Sequence, residues 1–365
     1  LVALLCLGKA VPLRADQVDE VIRAQMKKRG ITGLSLAVID GGKFVREQGY
    51  GFTDKSGKTT VTPSTLFQAG SISKPVATLG ALHLVDKGLL SLDEDVNAKL
   101  RTWTLPQNKF TDARKVTLRL ILSHTAGMTV HGFPGYRIGA PLPTLIQVLN
   151  GEKPANTSAI RVDRTPGSEW KYSGGGYLIM QQMVIDASGQ PFARYMDETV
   201  LKPLSMVSST YSQPLPEHMA VRAAKGYGGI FGQSVNGGWH VYPEMAPAGL
   251  WTTAADLARF AIGIQSSVTG HLNPVISQSL TRQMLTVEQM NYGLGLGLRG
   301  NGRTLRFGHD GANAGFNAVM SAYAYAGKGA VVMINKNEHT DAMSQIFGCI
   351  AEQYHWPDYV SPAKK

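Results

Sequence analysis

Two cysteines among 365 residues leave no material for a disulfide-built scaffold. Cys6 stands in an amino-terminal apolar run, and Cys349 lies in a carboxy-terminal apolar pattern where a small buried hydrophobe is expected. Long apolar runs are also missing. The stretch Leu1 to Leu7 is too short to span a bilayer, so no membrane span is expected in the mature chain. It does suit the core of an export signal, cleaved after Ala10 or Ala15, which would make the protein periplasmic or extracellular. There is no internal repeat and no low-complexity segment. There is no H-E-x-x-H motif and no cluster of His and Cys, so no metal and no cofactor is expected, and His83, His124 and His131 read as packing or loop histidines. Gly295 to Gly300 matches G-x-G-x-x-G, but its Gly/Leu alternation has strand period and no helix follows, which argues against dinucleotide binding.

The composition that remains, 43% hydrophobic and 17% charged, is that of an ordinary globular chain long enough for one large core or two lobes. The formal charge of +10 would favour anionic partners. The basic residues are scattered, however, with Lys27 to Arg29 the longest run, so a solvated surface and no nucleic-acid partner is the expectation. Oligomeric state is not legible.

Apolar residues at Val18, Val21, Ile22 and Met26 before Gly30 predict an amphipathic helix over Asp16 to Arg29. Two strand-like runs about Asp40-Gly41-Gly42 predict a hairpin. Helical spacing returns from Ile72 to Lys87, and Pro75, tolerated only in a first turn, fixes that helix's start near Ile72. From Asp93 to about Leu280, helical patches alternate with Pro- and Gly-rich loops. Strand-like runs and a helix over Asp341 to Tyr354 close the chain. Strands at both ends with helices between suggest one sheet built from both termini around an inserted helical region. The expected division is a leader over 1–15, one domain over 16–355 (16–92 with 281–355, and a helical 93–280), and a tail over 356–365.

Ser-x-x-Lys occurs three times, at Ser71 and Lys74, at Ser168 and Lys171, and at Ser361 and Lys364. The first pair opens a helix, where side chains three apart share a face and Lys74 can reach the Ser71 hydroxyl. That permits two readings: a nucleophile beside its base, or a polar helix cap. As a base Lys74 would have to lie well below its reference pKa of about 10.4. A Ser-His-Asp hydrolase of the nucleophile-elbow type is disfavoured. No G-x-S-x-G occurs, and adjacent His309 and Asp310 in a strand point to opposite faces.

Three segments in order, "QAGSISKP", "WKYSGGGY" and "FGHDGANAGF", with "LILSHTAGM", "TPGSEWKYS" and "GLWTTAADLARF" between them, resemble the serine penicillin-recognising family. That family includes class C β-lactamases, D-alanyl-D-alanine peptidases, D-aminopeptidases and related esterases. The resemblance implies an α/β, β-lactamase/transpeptidase-like fold. It implies an acylated Ser71, with Lys74 and Tyr172 sharing proton transfer, an oxyanion hole from the backbone N–H groups of Ser71 and Ala312, and substrate contacts at His309, Asp310, Gly311 and Gly174. Gly311 is expected to let substrate backbone lie along the strand. Tyr172-Ser173-Gly174 departs from the family pattern, since Gly174 lacks the usual Asn amide. His309 replaces the usual Lys, which loosens the demand for a substrate carboxylate, and Asp310 could either hold His309 protonated or repel such a substrate. The implied function is a serine hydrolase acting on the amide or ester of a small molecule or short peptide. The alternatives are a carboxylesterase, or a penicillin-binding or sensor module without turnover.

Overall fold

Asp16 accepts a hydrogen bond from the Val18 amide and caps the first helix, α1 (Gln17–Arg29), and Gly30 ends it at φ +60°. These features belong to a computed structural model that describes residues 16–228, 233–337 and 341–358. The apolar leader with Cys6 and the pair Ser361/Lys364 lie outside the described residues. β1 (Gly33–Asp40) and β2 (Lys43–Gly51) form the expected hairpin, turning on Gly41 and Gly42 at φ +57° and +72°. The helix carrying Lys74 is α2 (Ser73–Asp86), preceded by a single tight turn, Gly70–Ile72. The middle of the chain supplies α3 (Gly174–Ser188), the short α4 (Met245–Ala248) and α5 (Ala254–Val268). The carboxy-terminal part supplies β3 (Gly297–Arg299), β4 (Arg306–Asn313), β5 (Phe316–Tyr323), β6 (Gly329–Ile334) and α6 (Asp341–Gln353).

The six strands make one antiparallel sheet in the order β2-β1-β6-β5-β4-β3. β1 from one end of the chain lies between β2 and β6, with Leu34 opposite both Tyr50 and Ile334. Both central strands are buried along almost their whole length, which is why they read as continuous apolar runs. One face packs Leu34, Leu36, Val332 and Ile334 against Val18 and Ile22 of α1 and Ile346 and Ile350 of α6. The other packs Ala37, Ile39, Val331 and Met333 in one core with Leu257, Phe260 and Ile264 of α5. α5, from the 93–280 stretch, thus lies on the sheet, whereas α2 packs against α3 and α4. Each such Leu, Ile or Val contributes roughly 1.5–3 kcal/mol on full burial. Among the described residues no helix is long and apolar enough to cross a membrane, and no three His, Cys, Asp or Glu side chains group to hold a metal ion.

Candidate active site

Ser71 sits in the tight turn between a short edge strand, Phe67–Gln68, and α2. The turn lies directly against β4, and two glycines make that approach possible. A Cβ on Gly70, itself at φ +53°, would fall 2.5 Å from the Ala312 amide nitrogen. A Cβ on Gly311 would fall 1.9 Å from the Ala69 carbonyl oxygen and 3.1 Å from the Ser71 amide nitrogen. The backbone of Ser71 is thereby laid beside that of Gly311 and Ala312. Gly311 is therefore required by the contact between strand and turn. Asn313 fastens the same junction, donating from Nδ2 to Gln68 Oε1 and to the Ala248 carbonyl at 3.0 Å each.

One turn along, Lys74 is 2% exposed, and its Nζ donates to Ser71 Oγ and to the Pro247 carbonyl of α4, both at 2.9 Å. Among the described residues no carboxylate pairs with it, and burial pushes its pKa down to about 7. Ser73 Oγ donates to the Gly70 carbonyl at 2.6 Å and accepts from the Leu250 amide at 3.0 Å, which locks the turn to the segment after α4.

Tyr172 precedes α3 and brings its hydroxyl beside Ser71, with Lys74 Nζ 4.9 Å from its ring centre. Burial raises the Tyr172 phenol well above its usual value, and the nearby Ser71 opposes the rise. The helix begins at Gly174, capped by Ser173, whose Oγ accepts from the Gly176 amide. Packing is the reason for glycine here. A Cβ at Gly174 would meet Phe133 Cε2 at 2.8 Å and the His131 carbonyl at 3.1 Å, and one at Gly175 would meet the Thr129 carbonyl at 2.6 Å. Position 174 thus faces the 131–133 loop.

His309 projects from β4, its ring centre 6.1 Å from that of Tyr172. Its Nδ1 lies 2.5 Å from the Asp310 carbonyl oxygen and donates to it. Burial, and secondly the charge of Lys74, push the imidazole down to about 3, so it is neutral at working pH. Burial raises the pKa of the Asp310 carboxyl and Arg299 opposes the rise, and the Asp310 charge adds to the rise of Tyr172. Of the two readings left open for Asp310, the protonated His309 is disfavoured, because burial and the Lys74 charge hold the imidazole neutral.

The sequence reading missed part of this site. His124 and His131, taken as packing or loop residues, stand at ring-centre distances of 4.2 and 4.9 Å from Tyr172, with Tyr292 and Trp170 completing the aromatic wall. His83, by contrast, bonds the Val275 carbonyl away from Tyr172. Glu244, just before α4, is fully buried beside Tyr136, and burial lifts its carboxyl to about 7. The second Ser-x-x-Lys pair is a surface feature: Ser168 Oγ donates to the Thr165 carbonyl and Lys171 pairs with Asp163.

The match to known proteins is broad. The relative Protein flp of Staphylococcus aureus (strain N315) is 26% identical over 203 residues, 54% of this chain but only 38% of that protein's length. PbpX of Bacillus subtilis (strain 168), named as a penicillin-binding protein, is 24% identical over 347 residues, covering 91% of this chain and 78% of the relative. Among solved structures, the octameric penicillin-binding protein homologue from Pyrococcus abyssi superposes with a TM-score of 0.76 at 22% identity, over 93% of this chain and 77% of the other. The family model described as Beta-lactamase matches residues 18–347, which takes in the turn, the tyrosine and the strand just described, and the chain belongs to that family.

Proposed function

We propose that this protein is a serine hydrolase that forms an acyl-enzyme on Ser71 and cleaves an ester or amide bond. The observation that carries the reading is a lysine buried within 2.9 Å of a serine hydroxyl and sunk to a pKa of about 7, so that about half of it is neutral at pH 7. Neutral Lys74 takes the proton from Ser71 Oγ as it bonds to the substrate carbonyl carbon. The negative charge then moves to the carbonyl oxygen, beside the amides of Ser71 and Ala312, where each donor is worth about 2.7–4 kcal/mol of barrier. Tyr172, kept protonated by burial, passes its hydroxyl proton to the leaving group and regains one from Lys74. Water then attacks the acyl carbon as Lys74 receives its proton, and when the bond from that carbon to Ser71 Oγ breaks Lys74 returns the proton to Oγ, which frees the acid product and restores Ser71.

The carboxylesterase branch draws support from Gly174. An Asn at that position would have to displace Phe133 before its amide could meet a substrate, so no amide-recognising group stands there. Neutral His309 supports a substrate that need not carry a carboxylate. The peptidase or β-lactamase branch shares the same nucleophile. The test is to incubate the protein and its Ser71→Ala variant with a short-chain nitrophenyl ester and a chromogenic cephalosporin, following product and intact mass. Turnover lost in the variant supports the reading, and the preferred substrate selects the branch. A stable adduct without turnover would indicate a penicillin-binding module, and neither adduct nor turnover would sink the proposal.

A further inference from the structure

We infer that His124 is a positioning residue that sets Tyr172 on Ser71 by clasping the backbone on both sides of it, an inference that rests on the serine hydrolase reading. The Lys171 amide donates to the His124 carbonyl at 2.8 Å, and the Ser173 amide donates to His124 Nδ1 at 3.2 Å. The two amides that flank Tyr172 are thus both held by one residue. The His124 ring then lies on the Tyr172 ring, with centres 4.2 Å apart and planes at 37°. Residue 124 is 2% exposed and adopts φ +60°, a left-handed conformation that few non-glycine residues take. A helix-terminal turn that simply needed that backbone would be served by glycine or asparagine.

The chemistry of the clasp fixes the tautomer. Nδ1 accepts from Ser173, so the ring proton is on Nε2, which is buried with no hydrogen-bond partner among the described residues, within the wall of Tyr172, Tyr177, Tyr292 and Trp170. A protonated imidazole would present a donor to the Ser173 amide and open the clasp. Burial first, then the charge of Lys74, hold the ring neutral. The imidazole touches neither Ser71 nor Lys74 by hydrogen bond, so its effect on the reaction passes through Tyr172.

Two variants separate this role from packing. His124→Gly relieves the left-handed backbone and removes the acceptor, whereas His124→Asn also suits that backbone and can place Oδ1 where Nδ1 stood. For the better of the two substrates above, His124→Gly is expected to lower kcat about 100-fold with KM within about threefold, and His124→Asn to stay within about tenfold of the parent. In a Tyr172→Phe background His124→Gly should cost little more, because the residue it positions has lost its hydroxyl. Hydrogen exchange at the Ser173 amide follows the clasp without turnover: protected in the parent and in His124→Asn, and fast in His124→Gly. An unchanged kcat in His124→Gly, equal losses in both variants at equal thermal stability, full additivity with Tyr172→Phe, or unchanged Ser173 exchange would each overturn the inference. A parent protein that neither acylates nor turns over would sink the hydrolase reading instead, and the exchange measurement would still decide the clasp.

Discussion

Lys74→Met should make the protein more stable, and the gain should vanish as pH rises. Burial lowers the lysine from 10.5 to about 7, so the folded state disfavours its ammonium by about 5 kcal/mol. Below about pH 7 the lysine is charged in both folded and unfolded chains, and the parent carries the whole of that penalty. Between about 7 and 10.5 the unfolded chain holds a proton that the folded one has released, so the parent's unfolding free energy rises by about 1.4 kcal/mol per pH unit. Methionine has no such titration. The difference between variant and parent should therefore shrink along that slope. Loss of the hydrogen bonds to Ser71 and Pro247 shifts the whole difference by a constant and leaves the slope alone. Neighbouring groups do not interfere in this window, since His124 and His309 are pushed down and Tyr172 is pushed up. Urea denaturation of both proteins at whole pH units from about 7 to 10 reads the slope directly. Parallel curves would mean that Lys74 stays charged in the folded protein, and a charged Lys74 cannot take the Ser71 proton. The acylation rate should climb over the same approach to pH 7 that neutralises the lysine.

Tyr172→Phe removes the hydroxyl beside Ser71 and should lower kcat by about 10²–10⁴ with little change in folding, and a variant at parental kcat would remove Tyr172 from the proton path. Gly311→Ala drives a methyl into the Ala69 carbonyl and should cost at least about 1–3 kcal/mol of stability together with activity; a variant with parental melting temperature would show that strand and turn separate easily. Gly174→Asn restores the residue type usual in the family yet must displace Phe133, so cephalosporin hydrolysis should not improve and stability should fall by about 1–3 kcal/mol. A gain in cephalosporin turnover would show that the 131–133 loop yields.

Features set by neighbours in sequence could be read in advance. The Gly41-Gly42 hairpin, the Gly30 stop of α1, and the start of α2 before Pro75 each depend on a few adjacent residues, and each is found where the pattern placed it. The start of α3 leaves no clear sequence signal because glycine is a poor helix former, and the contacts that demand it at 174 and 175 come from residues 129–133. The order of three motifs pointed to Ser71, Lys74 and Tyr172 only through a family resemblance. His124 had no such flag, since its bond to Ser173 spans 49 residues and its neighbours follow no spacing rule. The contact that demands glycine at 311 was not legible, because a strand pattern carries no record of what lies against its face.

The pairing of β1 with β6 has a bearing on how this chain is made. Leu34 meets Ile334 across 300 residues, so during synthesis β1 and its hairpin partner β2 emerge long before the strand that completes their other side. Contacts of such sequence separation close slowly and late. While α2, α3 and the loops between them gather, one edge of β1 stays open, and an unpaired apolar edge is a template for the same edge on another nascent copy. Expression yield should therefore depend on how quickly residues 329–334 follow the rest of the chain, and substitutions that slow β5–β6 pairing should first appear as aggregation.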